Sequence, residues 1–125
     1  MPQRTIYSVI ESPTHPHLTA LYQTLGIEEL CFKSMRKLMA KIKNTPPDFI
    51  AAEFFYGYGN NYAGVNISNL DVMLYSLQRY APNTKVLVFV DKNERQYVDK
   101  LNDILPLHAV FTRPFDETEI VKALG

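Results

Sequence analysis

The side chains best suited to chemistry stand directly after short apolar segments of the chain. Glu11 and Ser12 follow the first of these segments, and Glu53, Asp91 and Arg113 follow three later ones. The carboxylates offer the hard oxygen ligands that a divalent cation prefers, and the arginine offers a fork of donors that fits a carboxylate. These residues form the candidate site, provided that the fold brings the ends of the segments together.

Five apolar segments alternate with five stretches in which apolar residues recur at helical spacing. The predicted strands cover residues 6–10, 30–32, 49–52, 86–90 and 109–111. The helical stripes cover residues 18–25, 35–42, 70–77, 97–105 and 120–124. This alternation predicts an α/β fold in which a parallel five-stranded sheet lies between two layers of helices, with the strand order 2-1-3-4-5. The carboxyl ends of the strands, where the candidate site stands, form the functional edge of such a sheet.

Local signals mark the ends of several helices. Ser34 and Asp116 are predicted N-caps, and Gly26 is a predicted C-cap. Ser68 and Asp71 have the spacing of a capping box, with Asp in place of the usual Glu. These residues set where the connecting loops begin and end.

Composition excludes several classes of protein. The 125 residues are 46% hydrophobic and 21% charged, as is typical of one folded domain. The 13 basic residues balance 13 acidic ones, so no global charge draws the chain to nucleic acid or to an anionic membrane. A single cysteine, Cys31, rules out a disulfide framework. We expect a cytoplasmic protein in which Cys31 is a small buried hydrophobe.

Three segments carry a more specific resemblance. Residues 47–53 read Pro-Asp-Phe-Ile-Ala-Ala-Glu, residues 81–85 read Ala-Pro-Asn-Thr-Lys before an apolar run, and residues 112–116 read Thr-Arg-Pro-Phe-Asp. In this order and spacing they resemble the third strand, the lead into the fourth strand and the Thr-Lys-Pro-Phe turn of response-regulator receiver domains, the CheY-like superfamily. The resemblance implies one receiver-like domain over residues 1–125, with the flavodoxin-like (βα)5 fold and a role in two-component signal transduction. An enzyme is not expected, because the sequence shows no paired nucleophile and base.

The resemblance fails at the positions that carry the chemistry of the family. Glu53 stands where the family has its phosphoacceptor Asp, and Glu11 and Ser12 stand where it has the acidic pair that binds magnesium. Glu53 is one methylene longer than Asp, which displaces the attacking oxygen. Ser12 removes an anionic ligand from a metal that must neutralise the charge of the transferred phosphoryl group.

The remaining positions of the family's site depart as well. Val90 replaces a hydroxyl residue at the end of strand four, Asp91 replaces the small residue after it, and Arg113 replaces a lysine after strand five. Val110 stands where the family has an aromatic switch residue. These departures predict a degenerate pseudo-receiver that is not phosphorylated, with no catalytic residue, no bound metal and no cofactor, magnesium included.

Two interpretations of Arg113 and Glu53 stay open. In one, the guanidinium pairs with the carboxylate and holds the site in a single state, with a standing negative charge in place of a phosphoryl group. In the other, both side chains are solvated groups at the edge of a loop.

An aromatic segment follows strand three. Phe55, Tyr56, Tyr58 and Tyr62 lie there among glycines and asparagines, a composition typical of binding loops, and they are the candidate partner-binding residues. The competing interpretation is that the phenylalanines at the start of the segment anchor it in the core and the tyrosines pack on neighbouring helices.

A basic run precedes strand three. It comprises Lys33, Arg36, Lys37, Lys41 and Lys43, with no acid between them. The run is either a patch for nucleic acid or an acidic partner, or the solvated face of helix two, and the lack of interleaved aromatic residues favours the solvated face.

The resemblance also indicates the kind of partner. In the receiver family, the surface of helix four, strand five and helix five mediates dimerisation or output contacts, and residues 93–124 correspond to it here. We expect a signalling protein as partner, or a homodimer through that face, without membrane or nucleic acid. Two other functions stay open: an atypical phosphoacceptor that uses Glu53 with magnesium, and a small-ligand sensor closed by the aromatic loop.

Overall fold

Five parallel strands form the centre of the molecule in the computed structural model, which describes residues 4–10, 18–56 and 70–125. The strands are β1 Arg4–Val9, β2 Ile27–Cys31, β3 Phe49–Glu53, β4 Lys85–Val90 and β5 Ala109–Thr112. They form one sheet in the order β2-β1-β3-β4-β5, with every neighbouring pair parallel. The predicted flavodoxin-like topology is therefore confirmed.

Helices follow the strands and cover both faces of the sheet. They are α1 Thr19–Thr24, α2 Met35–Asn44, α3 Asp71–Tyr80, α4 Arg95–Val98 and α5 Glu117–Leu124. Buried residues of α2, α3 and α4 share one core cluster with alternate residues of the strands, and those of α1 and α5 share the other. None of the helices in the described part of the chain has the length and hydropathy to cross a membrane.

Burial differs sharply between the strands. All five residues of β3 are buried, and so is all of β4 after Lys85, because these strands lie inside the sheet and are covered on both faces. Edge strand β2 has one buried residue, Ile27. Its apolar pattern is interrupted at Glu28 and Glu29, which explains why the sequence places this strand three residues too late.

Cys31 corrects a second expectation about the same strand. The residue is exposed, not buried, because it lies at the end of an edge strand where the outer side of the sheet has no neighbour. Its thiol lies near Glu29, and partial desolvation together with that carboxylate raises the pKa of Cys31. A raised pKa leaves the thiol protonated at neutral pH.

The helix termini follow the local signals where the structure describes them. The Ser34 side chain accepts a hydrogen bond from Lys37 N, and the Asp116 side chain accepts one from Thr118 N, so both predicted N-caps are present. Gly26 has φ of +74°, the left-handed conformation that suits glycine after a helix. Ser68 lies outside the described residues, and α3 has Leu70 at its N-cap without a side-chain hydrogen bond.

Helix α4 is shorter than its apolar stripe predicts. After one turn it continues as a 3₁₀ helix over Asp99–Asp103. The side chain of Asn102 donates to the Asp99 carbonyl oxygen and accepts from Leu107 N. Asn competes in this way for the backbone groups of a helix, so the apolar stripe reaches the core without a continuous α-helix.

Tyr22 of α1 gives the fold a predictable response to alkaline pH. Its side chain is 1% exposed, and burial, together with the charges of Glu29 and Cys31, raises its pKa above the ordinary value of 10.0. The native state therefore keeps the phenol proton more tightly than the unfolded state does. Its contribution to stability is complete below the unfolded pKa and is lost as pH rises from there towards the folded pKa.

We expect the free energy of unfolding to fall more steeply above about pH 10 in the wild type than in Tyr22→Phe, which has no phenol to ionise. Urea denaturation followed by circular dichroism, at several values between about pH 8 and pH 11, measures the two slopes. Parallel pH profiles for the two proteins would show that Tyr22 does not supply this dependence.

Candidate functional site

Three neighbouring strands bring the charged residues of the candidate site together. Glu53 is the last residue of β3 and lies opposite Phe89 of β4. Asp91 directly follows β4, and Arg113 directly follows β5. The backbone N–H of Arg113 donates to the Val90 carbonyl oxygen at 3.1 Å, which extends the pairing of β4 and β5 beyond the strands. The parallel register therefore places all three side chains at the carboxyl edge of the sheet.

Arg113 lies between the two carboxylates and contacts both. Its Nε is 2.9 Å from Oδ1 of Asp91, and its Nη2 is 3.6 Å from Oε2 of Glu53. The pairing of Arg113 with Glu53 that the sequence suggested is present. The side chain of Glu53 is only 5% exposed, so the interpretation of Glu53 as a solvated group is wrong.

The two ion pairs differ in strength because their surroundings differ. The Asp91 side chain is 62% exposed, and water screens a pair of that kind. The Glu53 carboxylate has lost nearly all of its hydration, so the nearby positive charge offsets a large desolvation cost. Arginine remains protonated at all ordinary pH values, and the compensation of Glu53 is therefore permanent.

The ring of Phe115 packs against the guanidinium of Arg113. The Cζ atom of Arg113 lies 5.2 Å from the centroid of the Phe115 ring, a cation–π distance. Phe115 in turn packs edge-on against Phe89, with ring centroids 5.0 Å apart. Sequence reasoning missed this role, although the signal was present: Phe115 belongs to the same Thr-Arg-Pro-Phe segment that carries the resemblance.

Among the other predicted site positions, Val90 and Val110 bring no polar side chain to this edge. Val90 is 2% exposed and belongs to the core cluster under α2, α3 and α4, and Val110 packs against the same cluster. Glu11 and Ser12 lie outside the described residues. Within the ranges that are described, no three His, Cys, Asp or Glu side chains are grouped closely enough to hold a metal ion.

An open cleft adjoins the Asp91–Arg113 ion pair. It has a volume of about 640 Å³, and its walls are formed by Asp91, Lys92, Asn93, Arg113, Pro114 and Phe115. The cleft combines an aromatic ring with both charge signs, so it suits a mixed polar and apolar contact. It lies where β4 and β5 lead into their following helices.

The first three aromatic residues after β3 are Phe54, Phe55 and Tyr56, and their burial decreases in that order. Phe54 is 2% exposed and Phe55 is half-buried. The ring of Tyr56 stacks on Tyr97 of α4, with centroids 3.8 Å apart and planes 18° apart, and the backbone N–H of Tyr56 donates to Glu94 at 3.2 Å. Tyr56 thus packs on a neighbouring helix while staying 50% exposed.

Tyr58 and Tyr62 lie outside the described residues, so their predicted role in partner binding stays a prediction. The residues of the segment that are described support the competing interpretation in part, because Phe54 anchors in the core and Tyr56 contacts α4.

Comparison with solved structures identifies the fold. A response regulator protein from Burkholderia multivorans has 17% sequence identity and a TM-score of 0.68, and the match covers 98% of this chain and 93% of that one. The signal receiver domain of an HD domain-containing protein from Pseudomonas fluorescens has 13% identity and a TM-score of 0.72, covering 98% and 92%. A putative response regulator from Chloroflexus aurantiacus has 12% identity and a TM-score of 0.71, covering 98% and 95%.

Comparison at the level of sequence adds nothing to this: no protein-family model and no curated protein matches the chain. At identities of 12–17%, the likeness to these response regulators is a likeness of fold. The chain therefore has the fold of receiver domains, and its function has to be argued from its own site.

The Arg113–Glu53 pair makes a measurable prediction about stability. We expect Arg113→Ala to lower the free energy of unfolding by about 1–3 kcal/mol at neutral pH, because it leaves a buried carboxylate without its cation. Asp91→Asn should cost at most about 1 kcal/mol, since that pair is exposed to water. Urea denaturation measures both changes.

A double-mutant cycle with Glu53→Gln separates the ion pair from the packing of Arg113 on Phe115. Arg113→Ala should cost less in the Glu53→Gln background than in the wild type. An equal cost in the two backgrounds would show that the guanidinium acts through packing alone.

Proposed function

We propose that this chain is a receiver-like signalling module that acts through protein contacts and is not phosphorylated at Glu53. One observation carries the proposal: the carboxylate at the phosphoacceptor position is buried and lies beside a permanent cation, Arg113, which is itself paired with Asp91. The structural likeness to response regulators supports the signalling role.

The geometry around Glu53 opposes phosphoryl transfer. A nucleophilic carboxylate needs an oxygen that is open to in-line attack and a metal ion that neutralises the developing charge. Here 5% of the side chain is exposed, and the guanidinium lies within 3.6 Å of one carboxylate oxygen. A cation bound by both Glu53 and Asp91 would have to displace Arg113 from contacts with both residues.

The same pair argues for a single state of the site. A receiver switches because a phosphoryl group adds negative charge that cationic and hydroxyl side chains then bind. In this chain, the guanidinium of Arg113 already lies beside the Glu53 carboxylate. Val90 adds no hydroxyl, and Val110 is an aliphatic residue packed on the core. A module of this kind would bind its protein partner without first being phosphorylated.

We place the contact with a signalling partner, or with a second copy of the chain, on the surface of α4, β5 and α5. The cleft of about 640 Å³ beside Arg113 and Phe115 opens at this end of the molecule, and Tyr97 of α4 carries the half-exposed ring of Tyr56, which follows β3. The cytoplasm fits such a module, since a reducing compartment keeps an exposed free thiol such as Cys31 in its reduced form.

The response to a phosphoryl mimic tests the proposal. We expect amide NMR spectra to stay unchanged at Glu53, Asp91 and Arg113 when magnesium and then beryllofluoride are added, because the guanidinium already compensates the carboxylates. Shifts clustered at these three residues would overturn the proposal and favour the atypical phosphoacceptor. Incubation with acetyl phosphate and magnesium, followed by intact-mass spectrometry, should likewise show no added phosphoryl group.

A restored variant controls for sensitivity. Ser12→Asp, Glu53→Asp, Val90→Thr and Arg113→Lys together reinstate the residue types that receivers use at these positions. This variant should respond to magnesium and beryllofluoride under the same conditions, because the metal ligand, the shorter nucleophile and the hydroxyl are all regained.

A further inference from the structure

The exposed sides of α2 and α3 form a surface of uniform charge, which we name the α2–α3 face. Its exposed cations are Lys33, Arg36, Lys37, Lys41, Lys43 and Arg79. Helix α2 contains no acidic residue. The one acid of α3, Asp71, is 2% exposed, so its charge does not reach the surface. A chain of zero net charge thus places five positive charges on two adjacent helices and a sixth, Lys33, just before α2.

An apolar ridge runs along α3 beside these cations. Val72, Tyr75 and Tyr80 are 50%, 56% and 42% exposed, and they are three of the five large hydrophobic side chains exposed in the described residues. The two helices pack side by side. The hydroxyl of Ser76 lies 3.5 Å from the Met39 sulfur, and Nζ of Lys43 lies 5.2 Å from the centre of the Tyr80 ring. Lys43 therefore borders the apolar ridge at Tyr80, and the other cations of α2 are exposed on the same helix.

A cleft continues the ridge beyond Tyr80. It has a volume of about 390 Å³, and Tyr80, Pro46, Pro47, Ala81 and Pro82 supply much of its lining. Asp48 also lines it, but its carboxylate accepts a hydrogen bond from Thr5 N at 2.8 Å. Rigid prolines and an aromatic ring suit a single bulky apolar side chain.

We propose that the α2–α3 face docks an acidic amphipathic helix of a partner protein. Carboxylates of that helix would face the cations of α2, and its apolar stripe would cover Val72 and Tyr75. One large apolar side chain would enter the cleft beside Tyr80. The charge complementarity and the exposed ridge both favour this occupant.

The same observations disfavour a single-stranded nucleic acid on this face. Nucleic-acid surfaces combine cations with open aromatic rings on which bases stack. The ring of Tyr80 already has Lys43 at 5.2 Å and Arg79 at 5.4 Å from its centre. Of the two aromatic rings of the ridge, Tyr75 is 56% exposed and could take a stacked base, but it is a single ring beside Val72, whose aliphatic side chain suits a helix stripe and not a base.

This inference goes beyond the proposed function and does not depend on it. The α2–α3 face belongs to one side of the sheet, whereas Glu53 and Arg113 lie at the carboxyl edge of the strands. Loss of binding at α2 and α3 would leave the phosphoryl-mimic experiment unchanged, and the two proposals therefore succeed or fail separately.

A synthetic probe tests the face directly. The probe is a fluorescein-labelled peptide of about 20 residues, with leucines at i, i+3, i+4 and i+7 spacing and Glu or Asp at most other positions. We expect saturable binding in fluorescence anisotropy, with amide NMR shifts confined to α2, α3 and the cleft beside Tyr80. Shifts centred on any other surface would overturn the proposal, and so would the absence of binding at millimolar protein.

Charge-matched variants give the decisive comparison. Lys37→Glu with Lys41→Glu should weaken binding at least about tenfold, and Tyr75→Ser should do the same through the apolar ridge. Lys100→Glu with Lys122→Glu changes the net charge equally at exposed positions outside the face and away from the cleft beside Arg113, and should leave binding within about twofold. Equal losses in both double variants would mean that only overall charge matters, against the proposal.

Two further probes distinguish the other occupants. A peptide with the same acids but serine in place of leucine should bind at least about tenfold more weakly, because it has no stripe for Val72 and Tyr75. An oligo-dT of similar length that binds more tightly than the peptide would overturn the proposal in favour of nucleic acid. Dimerisation in sedimentation that Lys37→Glu with Lys41→Glu abolishes would instead assign the face to a second copy.

Discussion

A buried carboxylate at the end of a central strand is the constraint on which this molecule depends. Strand β3 lies inside the sheet with both faces covered, and all of its residues are buried, so Glu53 gives up its hydration when the chain folds. A charge in that position needs a counter-charge that the fold itself delivers. The register of β4 and β5 supplies it, because Arg113 leaves β5 one residue after the point where Val90 pairs with Thr112.

The shape of arginine explains why one residue can serve two carboxylates. A guanidinium is flat and carries donors on different edges, so Nε reaches Asp91 while Nη2 faces Glu53. Its face remains available for the ring of Phe115. A lysine ammonium is a point charge without a flat face to lay on that ring. Arg113 therefore supplies a charge and a packing surface at the same time.

Much of the fold could be predicted from the sequence because central strands carry a simple signal. The unbroken apolar run of β4 and the Pro-Asp lead into β3 identify strands that are buried on both faces. The edge strand β2 was harder to predict from the sequence. Strand β2 is half-solvated, so Glu28 and Glu29 obscured its start and Cys31 was wrongly expected to be buried. The backbone contacts of Asn102, which end α4 early, have no periodic signal at all.

The candidate site also has features that the sequence could predict and features that it could not. Residue types and strand order placed Glu53 and Arg113 at one edge of the sheet, since the ends of parallel strands share that edge, but left open whether the two side chains pair. They were not enough to predict that Asp91 binds the same guanidinium or that Phe115 supports it, because those contacts depend on side-chain direction. The surroundings of the basic run could not be predicted from the sequence either, since Tyr80 comes next to Lys43 only when α3 packs against α2.

A site fixed by its own charges changes what the rest of the fold can contribute. In a switching receiver, phosphorylation at the carboxyl edge of the sheet changes the populations of two conformations, and the binding surfaces respond to that change. The free energy available for the response is set by the phosphoryl group's preference for one conformation. Where the edge is compensated permanently, the helices are free to carry binding energy of their own. The separation of charge in this neutral chain is consistent with that freedom: cations collect on α2 and α3, and acidic residues outnumber basic ones from α4 onward. Long-range electrostatic steering then depends on these separate patches, because the net charge gives none.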